Sequence, residues 1–371
     1  MRHKGILCLI VSMVLPQAAM AWEFGNLRLR GRLQTRFEVE ERVVNQNETE
    51  GWVSGFKIKR ARLDGRWDPA DWARLVLETE LAGSMNFSGE QAAAVELKDA
   101  FGRFRVHPAL LFHVGHFKKP FSRLKMMSPF DLFLPVRGLL NRHAVTSTRH
   151  GGFGGRDVGA MVSGKFLEIA RLRYYLGVFS GPRFIDGIEE SNKDFVGRIQ
   201  VRPLEGLRVA INASHKMYHF KEGATLTDRP LTRSMKYSAN LFGADARYKI
   251  EKFTFLAEGA FGDNVDLGPG HLLWGFHATA AYAVSLGDDL VLTPAVMLEL
   301  FDPSDQDEIG PAIRLAEALN LDIEKICRLI LFAETSWGEV LAFDPDLNDG
   351  NGGFVSKRPA TRFFIQVNLS F

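Results

Sequence analysis

The sequence predicts an all-β fold, a transmembrane antiparallel β-barrel of about 16 strands, and three observations predict it. Apolar and polar residues alternate along much of the chain, short and long connections take turns, and the chain ends on a strand closed by Phe371. The mean hydropathy is −0.07. After residue 21 no apolar run reaches the roughly 18 residues of a membrane helix, whereas a membrane strand needs only about 10 residues with every second one apolar.

The alternation is clearest at the two ends of the predicted barrel. Between residues 27 and 37, leucine and phenylalanine occupy odd positions, and arginine and glutamine occupy even ones. Between residues 365 and 371, apolar residues are again odd and polar residues even. Each strand therefore has one apolar and one polar face. In a soluble sheet the apolar face would instead need a second layer to cover it.

About fourteen further strands are predicted between these two. They lie near residues 52–67, 72–82, 94–106, 109–117, 156–167, 170–180, 193–203, 206–218, 236–250, 252–263, 271–286, 289–301, 310–323 and 324–337. Short turns such as 68–71 and 203–206 alternate with longer polar segments such as 181–192 and 338–358. Short turns at one end and long loops at the other are typical of a membrane barrel. An even number of strands places both chain ends on the same side of the membrane.

The first residues predict export. Arg2 and Lys4 precede an apolar run from 6 to 15, and Ala19-Met20-Ala21 offers small residues for cleavage, so residues 1–21 are interpreted as a signal peptide. Residues 22–371 then form one barrel domain. Removing Arg2 and Lys4 leaves equal numbers of basic and acidic residues. Any preference for charged solutes must therefore come from where the charges sit.

One connection, residues 118–155, is here called the long loop. It contains a single acid, Asp131, and seven basic residues: Lys118, Lys119, Arg123, Lys125, Arg137, Arg142 and Arg149. A loop of this length in a compact fold is usually functional. We expect it to fold into the barrel and narrow the channel, where clustered cations favour anions.

The first two strands add candidates for the lumen face. These are Arg30, Arg32 and Arg36 on the first strand and Lys57, Lys59, Arg60 and Arg62 on the second. Lys59 and Arg60 are adjacent, so the pattern predicts either a β-bulge there or one side chain pointing outward. An alternative interpretation is that these cations are solvated, bind lipopolysaccharide phosphates, or pair with lumen glutamates, which would leave weak selectivity.

Several stretches resemble the phosphate-selective porin O and P family. They are residues 56–63, 97–101, 114–121, 155–159 and the terminal Phe371. The resemblance implies a sixteen-stranded, trimeric outer-membrane pore whose basic constriction binds phosphate or polyphosphate. By that likeness the binding residues are Lys59, Arg60, Lys118, Arg123, Lys125 and Ser128.

The sequence thus predicts a porin of the Gram-negative outer membrane, a water-filled diffusion channel for small anions such as phosphate. The same resemblance implies a homotrimer. The protein is expected to lie among outer-membrane lipid and lipopolysaccharide, without nucleic acid, cofactor or metal. His113 and His116, three residues apart on a strand, project to opposite faces and cannot share an ion. No spacing marks a catalytic nucleophile, so no enzyme is predicted. A general weakly selective porin, or a plugged structural or enzymatic barrel, are the alternatives.

Overall fold

The structure is a computed structural model. It describes residues 22–24, 26–43, 49–81, 95–146, 152–166, 171–181, 193–220, 222, 225–226, 229–230, 233–265, 267, 269–306, 310–324, 326–338, 340–341, 355–356 and 360–371. The predicted signal peptide, residues 1–21, lies outside the described residues, and so does Arg149.

Sixteen strands form the barrel. They are β1 Leu27–Val43, β2 Thr49–Ala70, β3 Ala73–Glu80, β4 Glu96–His107, β5 Leu110–Lys118, β6 Arg156–Phe166, β7 Leu172–Phe179, β8 Asp194–Val201, β9 Leu207–Phe220, β10 Met235–Ile250, β11 Phe253–Asp263, β12 Leu272–Tyr282, β13 Leu290–Asp302, β14 Ala312–Ile323, β15 Cys327–Gly338 and β16 Ala360–Ser370. Short additional strands lie at Trp22–Phe24, Thr225–Leu226, Arg229–Pro230, Val284–Ser285, Val340–Leu341 and Val355–Ser356.

Each strand pairs antiparallel with its neighbour in sequence, and β16 pairs with β1, where Asn368 lies opposite Gln34. The sheet therefore closes on itself and leaves no unpaired edge, which is the condition for crossing a bilayer with strands. Short connections such as 71–72 and 251–252 all lie at one end of the barrel, here called the short-turn end. The predicted all-β barrel of sixteen strands is confirmed.

Burial in this molecule is inverted relative to a soluble protein. The outer face exposes large apolar side chains, such as Phe56 at 76% and Ile211 at 60%. The lumen face buries charged and polar ones, including Arg36 at 2% and Gln366 at 1%. Hydrocarbon would cover the first set, so the parity predicted from the sequence is confirmed.

The two adjacent cations of β2 are accommodated by a bulge. Arg60 lies opposite Gln34, and Ile58 opposite Thr35, so Lys59 is the additional residue. The shift returns the polar parity to the lumen on both sides of the bulge. Helical structure in the described part of the chain is short: α1, Arg123–Met126, and a π-helical turn, Asn141–Val145. Neither is long or apolar enough to cross a membrane.

Candidate pore constriction

The long loop follows β5 and folds into the barrel, as its length predicted. Its backbone and side chains reach the walls on opposite sides. The Nη1 of Arg32 on β1 donates to the Ser128 hydroxyl at 3.0 Å, and the N–H of Ser122 donates to the side-chain oxygen of Asn212 on β9, eight strands away, at 2.9 Å. The loop therefore crosses the lumen.

Apolar side chains hold the loop against the larger part of the wall, from β5 round to β16. Two clusters of buried residues join loop and wall. Their loop members are Phe121, Leu124, Leu132, Leu134, Leu139, Leu140, Ala144, Val145 and Phe153, and their wall members come from β5–β16. Burying each large side chain contributes about 1.5–3 kcal/mol. The loop is thus fixed on that side, and its polar side faces the charged wall of β1–β4.

Two wall carboxylates hold the loop backbone. Glu258 on β11 accepts hydrogen bonds from the N–H groups of Arg123 at 2.9 Å and Leu124 at 3.2 Å, at the start of α1. Glu299 on β13 accepts from the N–H groups of Leu139 at 2.8 Å and Leu140 at 2.9 Å. Charge-assisted bonds of this kind are roughly twice as strong as neutral ones. These two acids are therefore occupied in holding the loop.

Arg123, a predicted anion-binding residue, is buried against the wall. Its Nε lies 2.7 Å from Asp245 on β10, and Arg198 binds the same carboxylate at 2.6 Å. Lys119 behaves in the same way. Its Nζ lies 2.6 Å from Asp194 on β8, which Lys216 also binds at 2.5 Å. The structure places both residues in ion pairs that attach the loop to β8–β10, and away from the open lumen.

Three other cations converge beside the end of α1. The Lys118 amine donates to the Met127 carbonyl at 3.1 Å, as does the Nη2 of Arg137. The Lys125 amine donates to the Thr146 hydroxyl at 2.9 Å. All of these acceptors are neutral oxygens, so the bonds orient the cations without cancelling their charge. Burial, followed by the positive charge of Arg137, holds the pKa of Lys125 well below its usual range.

The wall opposite carries a second group of cations, which pair with acids of β2–β4. Glu78 on β3 accepts from Arg32 at 2.6 Å, Arg62 at 3.0 Å and Arg156 at 3.1 Å. Asp99 accepts from Arg156 at 2.7 Å. Arg62 also binds Glu80 at 2.6 Å, and Arg32 lies 3.4 Å from Asp64, so acids offset much of the charge of these guanidinium groups.

Wall and loop cations are close enough to act on each other. The charges that act on Arg137 include those of Arg60, Arg62 and Arg156, and those that act on Lys125 include Arg156 and Lys118. Arg60 also donates to the Gln34 side-chain oxygen at 2.8 Å. The structure thus brings wall and loop cations together into one cluster, here called the constriction cluster. Its members are Arg32, Arg60, Arg62, Lys118, Lys125, Arg137 and Arg156.

The remaining predicted residues lie outside this cluster. Arg30 binds Asp64 at 2.9 Å, and Lys57 binds Glu38 at 2.5 Å. Arg36 lies 3.6 Å from the ring centre of Phe364. Lys59 is the bulge residue of β2, and Arg142 lies in the π-helical turn.

Arg156 was missed as a site residue by the sequence reasoning. It is the first residue of β6, where the chain leaves the long loop. A loop that begins and ends on neighbouring strands brings its two ends together, and that topological signal was available in the sequence.

No protein-family model and no curated protein matches the chain. Solved structures match in fold. The anion-selective porin from Comamonas acidovorans aligns over 93% of this chain and 99% of its own, with a TM-score of 0.68 and 12% identity. OmpF of Salmonella typhi in complex with daunomycin aligns over 93% of this chain and 97% of its own, with a TM-score of 0.60 and 11% identity. The trimer form of Vibrio cholerae OmpT aligns over 94% of this chain and 100% of its own, with a TM-score of 0.58 and 12% identity. The chain therefore has the fold of outer-membrane porins.

Proposed function

We propose that this protein is an outer-membrane porin, a water-filled diffusion channel that prefers anions. The observation that carries the proposal is the constriction cluster, where Lys118, Lys125 and Arg137 are held by neutral oxygens opposite the arginines of β1 and β2. A low-dielectric wall focuses such a field across a narrow passage, which raises the local concentration of anions.

Phosphate and polyphosphate are the substrates we propose for the channel. Guanidinium and ammonium groups at one site suit an oxyanion of this kind, because guanidinium forks bind it bidentately. We also propose a homotrimer in contact with lipopolysaccharide, since a solved structure of the same fold is described as a trimer. A general, weakly selective porin is the second candidate, because Glu78, Glu80 and Asp99 already pair with part of the wall charge.

The test is the reversal potential of the purified protein in a planar bilayer under a potassium chloride gradient. The sign is expected to indicate anion preference. Lys125→Gln with Arg137→Gln is expected to move it towards zero. The matched control is Lys249→Gln with Lys252→Gln, which removes equal charge from the short-turn end and should change it little. A cation-directed sign in the unaltered protein would contradict the proposal.

The same recordings separate the alternatives. A plugged or enzymatic barrel gives no stepwise current, whereas a porin does. Adding inorganic phosphate to the chloride solution is expected to reduce the current if phosphate binds at the constriction cluster. A current that phosphate leaves unchanged would favour the general porin.

A further inference from the structure

A second set of cations lies at the short-turn end, outside the constriction cluster. We call it the vestibule row. Its members are Lys165 on β6, Arg173 on β7, Arg202 just after β8, Arg208 on β9 and Arg247 on β10. In the strand register Lys165 is directly opposite Arg173, and Arg208 is directly opposite Arg247. The row therefore crosses five neighbouring strands at one level.

Parity places the row on the lumen face. On β9, Ala210 and Asn212 share the parity of Arg208 and are buried, whereas Ile211 is exposed on the outer face. On β7, Phe179 shares the parity of Arg173 and is buried, whereas Leu176 is exposed. The row thus lines the inside of the barrel near its short-turn mouth.

Like charges directly opposite one another on neighbouring strands destabilise a sheet. The same arrangement occurs across the lumen, where Arg28 is opposite Arg66, but acids compensate it there. Asp68 binds Arg28 at 3.0 Å, and Asp64 binds Arg66 at 3.1 Å. Arg28 and Arg66 therefore show how acids neutralise two directly opposed arginines in this barrel.

The vestibule row has no such compensation among the residues that the structure describes. No carboxylate there lies within ion-pair distance of any of its five members. The charges that act on Arg208 come from Arg202, Arg247, Arg123 and Arg173, all of them cations. The Nε of Arg202 is buried without a hydrogen-bond partner. An anion bound between these guanidinium groups would relieve their repulsion.

We propose that the vestibule row binds an elongated polyanion, an oxyanion with several charges along its length, that enters from the short-turn mouth. Neighbouring strands are about 4.8 Å apart, so five strands span roughly 19 Å, more than a single orthophosphate can contact. A chain of phosphates can bridge successive guanidinium groups and replace their repulsion with charge-assisted hydrogen bonds. This site rests on the water-filled lumen of the proposed function but is separate from the constriction cluster.

Calorimetric titration of the purified protein in a nonionic detergent tests the site, with sodium tripolyphosphate as the probe. We expect tripolyphosphate to bind at least about tenfold more tightly than orthophosphate, and Arg208→Gln with Arg247→Gln to weaken it by about tenfold or more. The matched control is Arg28→Gln with Arg66→Gln, the opposed pair whose charges are already compensated. It should retain binding within about threefold.

Three outcomes would overturn the site: unchanged tripolyphosphate affinity in the Arg208 and Arg247 variant, equal loss in the control, or equal affinity for orthophosphate. Chloride conductance is recorded on the same preparations, and both variants should keep it because neither touches the constriction cluster. Conductance without tripolyphosphate binding refutes the vestibule site alone. If the unaltered protein shows no conductance, the porin proposal is refuted, while the titration still tests whether the vestibule row binds tripolyphosphate.

Discussion

Gly31 on β1 and Phe371, the last residue, exchange both of their backbone hydrogen bonds. The N–H of Gly31 donates to the Phe371 carbonyl at 2.6 Å, and the N–H of Phe371 donates to the Gly31 carbonyl at 2.9 Å. The phenyl ring covers the glycine so closely that a Cβ there would lie 2.1 Å from the Cε2 atom of Phe371. Because β1 and β16 meet at this point, the terminal phenylalanine locks the seam that closes the barrel.

Gly31→Ala is expected to destabilise the barrel, because the new methyl group displaces the Phe371 ring at the seam. Overpacking of this kind costs about 1–3 kcal/mol. The midpoint of urea unfolding in micelles, followed by tryptophan fluorescence, measures it. Gly65→Ala on β2 is the matched control, since a Cβ there meets its nearest atom, on Leu29, at an ordinary 3.5 Å. Equal midpoints for the two variants would show that the ring does not need the space.

The barrel could be predicted from the sequence because its two causes are local. Side-chain parity along a strand and the length of a connection are both read from consecutive residues, and both were confirmed. Of the two arrangements predicted for Lys59 and Arg60, the structure shows the bulge. Closure by β16 on β1 follows from the same pattern.

The roles of individual cations could not be predicted, because they depend on partners far along the chain. Arg123 and Arg137 are equivalent in the sequence, both in a basic loop. In the structure Arg123 pairs with Asp245, 122 residues away, whereas Arg137 donates to the carbonyl oxygens of Leu124 and Met127 in its own loop. The vestibule row could not be predicted for the same reason, because the register of β9 and β10 is what places Arg208 directly opposite Arg247.

Glu299→Gln is expected to loosen the long loop. The amide still offers one oxygen, but its NH₂ group faces an N–H of Leu139 or Leu140, so one charge-assisted bond of about 1.5–3 kcal/mol is lost. Open-channel current noise should rise and protease cleavage within the loop should quicken. Glu317→Gln, an acid on the outer face of β14, is the control and should change neither. Noise equal to that of the control would show that Glu299 does not hold the loop.

Anion preference is expected to increase as the pH falls from alkaline to acidic values, because burial and the positive charge of Arg137 hold the pKa of Lys125 well below its usual range. Lys125 is neutral above that pKa and charged below it, so acidification adds positive charge to the constriction cluster. Lys125→Arg keeps the charge throughout the range. Its reversal potential should therefore depend less on pH than that of the unaltered protein. Identical pH profiles would assign the effect to another group.

Arg123→Gln is expected to reduce stability while leaving selectivity nearly unchanged. Removing this guanidinium breaks a buried ion pair with Asp245, and breaking such pairs costs about 3–5 kcal/mol, less here because Arg198 still binds the carboxylate. Urea unfolding and the reversal potential are measured on the same preparation. Arg137→Gln is the contrasting variant, for which the shift in reversal potential should be the larger effect. A strong change of selectivity in Arg123→Gln would show that Arg123 lines the channel.

Glu317 on β14 faces outward, between exposed Ile313 and Leu319 of the same parity, at the middle of its strand. Across the register it lies opposite Val296 and Ala333, so the described wall offers it apolar neighbours. A charge on the lipid face is costly near the middle of a bilayer, less for a carboxylate than for the 2–4 kcal/mol or so of a cation.

Glu317→Leu is therefore expected to stabilise the barrel by about 1 kcal/mol in phosphatidylcholine vesicles, measured by urea unfolding. Glu334→Leu on β15 makes the same chemical change on the lumen face, where Arg314 and Arg362 bind the carboxylate. That control should lose about 3–5 kcal/mol, because two buried guanidinium groups lose their partner. Loss of stability in Glu317→Leu would instead mean that the carboxylate meets a polar group of another subunit, and that this face of β14 is not covered by lipid.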